Sequence, residues 1–277
     1  MIWPFGDFVG PGFDWLQIIR HELLFFAAFW FVVGAADEFG VDCVWLWMRI
    51  TGRSRAPRLP QGFERQELSG SIAVFVPAWQ EAAVIGATSR HTLETWRQSG
   101  LRLYVGCYRN DAETLGVAID AARGDSRLRI VIVERDGPTT KADCLNRLYA
   151  ALRTDEARLG TEFSAIVLQD AEDMVHPAGL IAIDKGLMDA DFVQLPVRPE
   201  IHAGSRWIGA HYAEEFIESH AKGLVVRNYL GAALPAAGVG SGFSRRAIEA
   251  LADARAALGE PGPFDAACLT EDYELGL

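Results

Sequence analysis

A chain of 277 residues with 26 lysines and arginines against 37 aspartates and glutamates carries a net charge of −11, and its isoelectric point lies near 5.0. That balance excludes a nucleic-acid backbone as partner, because neutralising phosphates needs a clustered basic surface. The length suits one main domain with attachments. The four cysteines, Cys43, Cys107, Cys144 and Cys268, show no C-x-x-C spacing, which excludes a disulfide scaffold and fits a reducing compartment.

The first 60 residues differ in composition from the remainder of the chain. Five of the eight tryptophans lie before Arg49, and Leu23 to Ala36 (LLFFAAFWFVVGAA) is uncharged. Fourteen residues make a helix of about 21 Å, short of a hydrocarbon core of about 30 Å, so length alone favours a buried or interfacial helix. Trp15 and Trp45, about 45 Å apart along a helix, instead match two interfacial aromatic belts. Arg49, Arg53, Arg55 and Arg58 come next, as expected of a cytoplasmic flank. Residues 1–60 are therefore expected to anchor the chain in a membrane with the N-terminus outside. Asp37, Glu38 and Asp42 are costly in lipid and must face protein, water or the interface, in the last case with Phe39 to Met48 lying along the surface. A cleavable signal peptide is disfavoured, since Ile2 to Gln17 has no basic residue.

Arg53 to Gly70 reads as a linker bearing prolines and arginines. From Ser71 strand-like and helix-like segments alternate, which predicts a mostly parallel α/β sheet. Strands are expected at Ile72–Val76, Leu101–Cys107, Leu128–Val133, Ala165–Gln169 and Phe192–Leu195. Helices are expected at Ala82–Gln98, Ala112–Arg123, Lys141–Arg153, Pro177–Met188 and Arg206–Val226. His202, His211 and His220 are nine residues apart, which does not align them on one helical face as metal ligands. The glycines at 238, 240 and 242 precede another helix from Arg245; they permit close backbone approach to a ligand, or simply form a turn.

The most informative stretch is Phe163 to Pro177 (FSAIVLQDAEDMVHP), where a buried strand breaks into Asp170, Glu172 and Asp173. Carboxylates at a strand's carboxyl end, beside the phosphates of a nucleotide, suit Mg²⁺ or Mn²⁺. The competing reading is a solvated acidic turn. Read in series, the loops are VPAWQEAAVIG (Val76–Gly86), CYRNDAET (Cys107–Thr114), DGPTTKADCLN (Asp136–Asn146), QDAED (Gln169–Asp173), GVGSGFSRRA (Gly238–Ala247) and LTEDYELGL (Leu269–Leu277). This order resembles the GT-A catalytic domain of family 2 glycosyltransferases, in their membrane-bound processive branch, over residues 71–277.

The resemblance implies a GT-A fold behind an N-terminal membrane helix, on the cytoplasmic side of the inner membrane. It implies a hexosyltransferase with a nucleotide-sugar donor, a glycan acceptor in a cell-envelope polysaccharide, and an export partner in the outer membrane or periplasm. Pro77 and Glu81 would border the base, although Trp79 and Gln80 replace the family's usual aromatic and Asn. Asp111 would take the place of the family's first aspartate. Lys141 would face the diphosphate, Asn146 would fix its loop, and Gly240 and Glu271 would contact substrate. Asp170, with Glu172 in place of a second aspartate or with Asp173, would hold the metal. Asp272, the last acid of Thr270-Glu271-Asp272, would be the catalytic base of an inverting single displacement. The family's Q-x-x-R-W acceptor motif does not appear before the chain ends at Leu277, inside an expected helix, so a longer protein is expected. Two rivals remain: a catalytically degenerate membrane assembly component, and a haloacid-dehalogenase-type phosphatase, which would place its D-x-D after the first strand rather than the fourth.

Overall fold

The computed structural model describes residues 11–54, 58–200, 204, 206–268 and 275–276. They fall into two compact units, one comprising residues 1–56 and 218–230, the other residues 57–217 and 231–277.

The first unit is built on one helix, α1 (Pro11–Ile50), of 40 residues. Its length is about 60 Å, and over Trp15–Ile50 it reaches a mean hydropathy of 1.6, long and apolar enough to cross a membrane. Large apolar side chains project outward along the run from Leu23 to Val33, an apolar surface of the kind that a helix buries in protein or in a membrane. Phe39–Met48 continues this helix rather than forming a separate segment. The helix stops where Gly52 adopts φ +74°, and Arg53 N closes back on Met48 O at 2.8 Å, a left-handed stop that glycine makes without steric cost. A π-helical turn (Ser219–Gly223) and a short helix complete this unit. The Lys222 ammonium binds Asp42 Oδ1 at 2.6 Å and also Glu218, so Asp42, an acid costly to place in an apolar helix, has a cationic partner.

The second unit is a six-stranded sheet, β1 (Ser71–Ala78), β2 (Leu101–Tyr108), β3 (Leu128–Val133), β4 (Phe163–Leu168), β5 (Phe192–Gln194) and β6 (Ser241–Ser244), in the order β3-β2-β1-β4-β6-β5. All run parallel except β6, which pairs antiparallel with both neighbours. Alternate residues of β1 feed two cores. Ile72, Val74 and Val76 pack with α2 (Ile85–Thr95), α3 (Ala112–Ala122) and α5 (Gly179–Gly186); Ala73 and Phe75 pack with α4 (Lys141–Leu159) and α8 (Arg245–Ala256). A strand covered on both faces must be apolar throughout, which is how a parallel sheet reads in sequence. The chain passes from β1 through β2 to β3 with α2 and α3 on one face. It then returns by α4 on the other face to place β4 on the opposite side of β1. This reversal makes the carboxyl ends of β1 and β4 the crevice where ligands bind in open α/β sheets.

The strands and helices expected from alternation are present within about three residues of their predicted bounds, except that α4 runs six residues past Arg153, to Leu159. The expected helix over Arg206–Val226 is instead α6 (Arg206–Glu218), the π-helical turn and α7 (Leu224–Leu230). Strand β6 was not expected. Its four residues, SGFS, contain a single large apolar side chain, and what makes it a strand is the ladder on each side.

At the start of α8 the buried Arg245 meets the buried Glu156 of α4 at 3.0 Å, their side chains 9% and 7% exposed, and the other Glu156 oxygen accepts from Phe163 N at 2.9 Å. Removing Glu156 leaves the buried Arg245 with only the exposed Glu249, at 3.0 Å, as its carboxylate partner, and takes the acceptor from Phe163 N. Glu156→Ala is therefore expected to lose about 3–5 kcal/mol, read as a fall in the urea midpoint. A Glu156→Met/Arg245→Met double variant should lose less than either single change. An unaltered midpoint in Glu156→Ala would refute this account.

Candidate active site

At the carboxyl ends of β1, β2 and β4 lies a cleft of about 360 Å³, lined by Pro77, Trp79, Glu81, Tyr108, Thr139, Lys141, Asp170 and Glu172 among others. Its floor is the turn after β1. Gln80 sits there with φ +58°, in the left-handed region that Asn tolerates better than longer side chains. That strained backbone is held by Asp111, whose Oδ2 accepts from Gln80 N at 2.6 Å while Oδ1 accepts from Thr114 N at 3.3 Å as the N-cap of α3. Glu81 N in turn donates to Thr114 Oγ1 at 3.0 Å. Asp111 thus underpins the cleft rather than lining it.

One wall is aromatic. The Trp79 ring meets Tyr108 edge-on at 5.0 Å, and the Tyr108 hydroxyl shares a 2.7 Å hydrogen bond with Thr139. The loop carrying Thr139 is strapped to the loop after β2. Asn110 Nδ2 donates to Gly137 O and Gly137 N donates to Asn110 Oδ1, each at 2.9 Å, and Arg109 pairs with Asp136 at 2.6 Å. A Cβ on Gly137 would fall 2.3 Å from the Trp79 ring, so only glycine fits. Sequence reasoning did not single out Tyr108, Thr139 or Asn110 individually, although all three lie within the loop stretches CYRNDAET and DGPTTKADCLN.

The opposite wall is ionic. Lys141, the first residue of α4 after its cap Thr140, donates to Asp170 Oδ1 at 2.7 Å. Glu172 lines the cleft, and Asp173 stands behind, its carbonyl accepting from the Gln169 side chain at 3.3 Å. Burial, then the charges of Asp170 and Glu172, push the Asp173 carboxyl above its ordinary value. Burial, then Glu172, Asp111 and Asp170, push Glu81 up as well. Crowded carboxylates of this kind are relieved by a cation. Among the described residues no three acids, histidines or cysteines form a ready-made ligand cage. The donor set fits instead a small divalent ion held by one or two carboxylates and completed by phosphate oxygens, the usual manner of Mg²⁺.

Two expected substrate contacts have structural partners. Gly240, at φ +62°, donates to Gln169 Oε1 and accepts from Leu195 N; it joins β5 to the loop before β6 and is not among the residues lining the cleft. Asn146 does fix a loop, but a later one: its side chain both accepts from Phe264 N at 3.0 Å and donates to Phe264 O at 2.8 Å. Glu271 and Asp272 lie outside the described residues. All four cysteines are free thiols, and burial pushes Cys107 and Cys144 up to about 12, which leaves both un-ionised and inert at neutral pH.

Burial raises the Asp111 carboxyl, but hydrogen bonds from the Thr114 side chain and from the Gln80 and Thr114 amides outweigh it, holding the group below its ordinary 3.8. A depressed carboxylate contributes its full stability above the unfolded value and loses it as pH falls through the lower folded value. Asp111→Ala is expected to cost about 1–2 kcal/mol at pH 7, the gap from the parent narrowing below pH 3.8. Parallel stability curves from pH 7 to pH 2 would contradict this.

Residues 69–277 match the family model described as glycosyltransferase like family 2. The chain is 33% identical over 267 residues to bacteriophage adsorption protein B of Escherichia coli strain K12 and, equally, to bacteriophage N4 adsorption protein B of Escherichia coli O157:H7; each match takes in 95% of this chain and 35% of the relative. The chain thus spans about a third of the length of the curated relatives it matches. Among solved structures it is similar to a mannosyltransferase of Pyrobaculum calidifontis in complex with GDP-mannose and Mn²⁺, with a TM-score of 0.50 at 19% identity, over 87% of this chain and 60% of that one. The fold is GT-A, and with the family model covering most of its length the chain belongs to the family 2-like glycosyltransferases.

Proposed function

We propose that this chain is the donor-binding part of a membrane-anchored, inverting hexosyltransferase that extends a cell-envelope glycan from the cytoplasmic face of the inner membrane. The observation that carries this reading is the pairing, in one cleft, of the aromatic Trp79–Tyr108 wall with the Lys141, Asp170 and Glu172 wall. The aromatic wall suits a nucleotide base and the ionic wall its diphosphate. Pro77 and Glu81 border the base side, and Lys141 neutralises phosphate charge. Asp170 with Glu172 or Asp173 would hold Mg²⁺ or Mn²⁺, which when bound supplies charge compensation to the departing diphosphate. The mannosyltransferase of similar fold is bound to GDP-mannose and Mn²⁺, which supports a nucleotide sugar as donor here.

In the proposed step an acceptor hydroxyl attacks the anomeric carbon. The new carbon–oxygen bond forms as the bond to the diphosphate breaks, the hydroxyl proton passes to the Asp272 carboxylate, and the bonding pair leaves with the diphosphate. Glu271 would contact the acceptor. The export partner in the outer membrane or periplasm belongs to the same proposal. A receptor or assembly role without turnover is favoured only by the phage-adsorption names of the relatives.

Two measurements test the reading. Asp170→Asn and Glu172→Gln should each weaken Mn²⁺-dependent binding of a nucleotide sugar by roughly tenfold or more while the fold is kept, since each removes a ligand or charge from the metal's site. Equal metal-dependent affinities in parent and variants would leave these acids as a solvated turn. Asp272→Asn in the full-length enzyme should lower turnover about 10²-fold or more with donor binding nearly unchanged, because a general base acts in the transition state. Lost stability with turnover per folded molecule intact would instead make Asp272 a helix-terminus residue.

A further inference from the structure

The acidic turn after β4 is closed by a side chain that does not line the cleft. Gln169, the residue between β4 and Asp170, is buried. Its amide joins two backbone groups: Nε2 donates to Asp173 O and Oε1 accepts from Gly240 N, each at 3.3 Å. Within the turn Asp173 N donates to Asp170 O at 3.4 Å, and before it Gln169 N is fixed on Phe75 O of β1 at 3.0 Å. Beyond the turn the chain is held from α2 and its cap, where Val175 O accepts from His91 Nε2 at 3.0 Å and His176 O from Trp96 Nε1 at 2.9 Å. The span that carries the acids thus runs between two fixed points, and Gln169 ties its far end to the segment before β6.

The charges of Asp170 and Glu172 act on Asp173, and a turn that carries three acids relieves their repulsion by opening. Opening would break both hydrogen bonds of Gln169 in a buried place, where polar groups are costly to leave unpaired. An amide suits the position because it donates at one end and accepts at the other without adding a charge. Gln194 offers a contrast. It grips the same segment, accepting from Ala237 N at 2.9 Å and from Ser241 Oγ at 2.7 Å and donating to Val239 O at 2.9 Å, and none of these partners lies in the acidic turn. We propose that Gln169 is a positioning residue for the divalent cation: by tying Asp173 to Gly240 it keeps the turn closed, with Asp170 and Glu172 on the cleft side before the ion arrives. This rests on the reading of Asp170 and Glu172 as metal ligands and adds the residue that holds them.

The test measures Mn²⁺ binding to the whole chain in dodecyl maltoside, from the loss of the free ion's electron paramagnetic resonance signal, in the presence of GDP and of UDP. Gln169→Met keeps the length of the side chain and removes both hydrogen bonds. It is expected to weaken Mn²⁺ binding by the folded protein about tenfold or more, as loss of a group that orients metal ligands does. Gln194→Met is expected to lower the melting temperature and leave Mn²⁺ affinity unchanged, which separates a role at the metal from support of the segment before β6. Should Gln169→Met fail to fold, residue-resolved amide hydrogen exchange decides: Gly240 N–H is expected to exchange slowly in the parent and faster in Gln169→Asn, whose side chain is one methylene shorter. Unchanged Mn²⁺ affinity in Gln169→Met, an equal loss in Gln194→Met, or a Gly240 amide that exchanges in the parent as fast as an open loop would each overturn the role of Gln169 while leaving the metal ligands standing. A parent chain that binds no Mn²⁺ with either nucleotide would overturn the metal reading, and the role of Gln169 with it.

Discussion

A strand that is buried on both faces can place polar groups only at its ends. In β1 every residue from Ile72 to Val76 is in a core, the odd and even positions facing different helical layers. The same holds for most of β4, where Ala165 to Leu168 are all buried. With β1 and β4 side by side and parallel, their first available polar residues emerge at one edge. Glu81 and Asp170 therefore line one crevice, each placed after its strand has ended. The position of the chemistry follows from hydrophobic burial of roughly 25 cal/mol per Å² along two neighbouring strands.

That crowding has an electrostatic cost, which the cleft's own cation only partly offsets. Glu81 and Asp173 are both pushed upward, by burial first and by neighbouring carboxylates second, while Lys141 lies against Asp170 and lowers Asp173. Holding like charges close together destabilises the empty site and makes binding of a positive ion more favourable by the same interactions. Asp111 escapes this pattern: its hydrogen bonds to Gln80 and Thr114 stabilise its ionised form despite burial. Acids that look alike in sequence thus have opposite electrostatic characters, and the difference lies in which backbone amides point at them.

Much of the fold was legible, and the reasons differ by element. The strands β1 to β4 were readable because apolar runs between turn residues admit few other structures, and helices α3 and α4 because helix-like segments alternate with those strands; Asp111 and Thr140 cap them in the structure. Strand β6 was not legible, because its stability comes from partners Leu168 and Gln194, more than 40 positions away in sequence. The acids of the cleft were readable from their place after β4, and Lys141 from the motif it sits in. Asn146 and Gly240 have a structural duty that their place beside a motif does not reveal. A polar side chain or a glycine beside a motif looks like a ligand contact, yet Asn146 closes both hydrogen bonds on the Phe264 backbone and Gly240 answers to its own φ and to Gln169. A sequence names residue types but not which backbone groups need them.

The need of backbone groups for partners also explains why two loops outside the acidic turn matter to the cleft. Asn110 commits its amide to both backbone groups of Gly137, and Gly137 has no side chain because the Trp79 ring fills that space. Trp79, Tyr108 and Thr139 are thereby positioned by packing and hydrogen bonds before any ligand arrives. Side chains fixed in advance lose little entropy on binding, whereas each freely rotating contact would cost about 0.5–1.5 kcal/mol to immobilise. The Trp79 that departs from the family's usual aromatic is thus accommodated by a glycine far along the chain, in the loop after β3. In this cleft the aromatic side is fixed by packing and the ionic side by the Lys141–Asp170 pair among crowded carboxylates, so its two walls rest on different interactions.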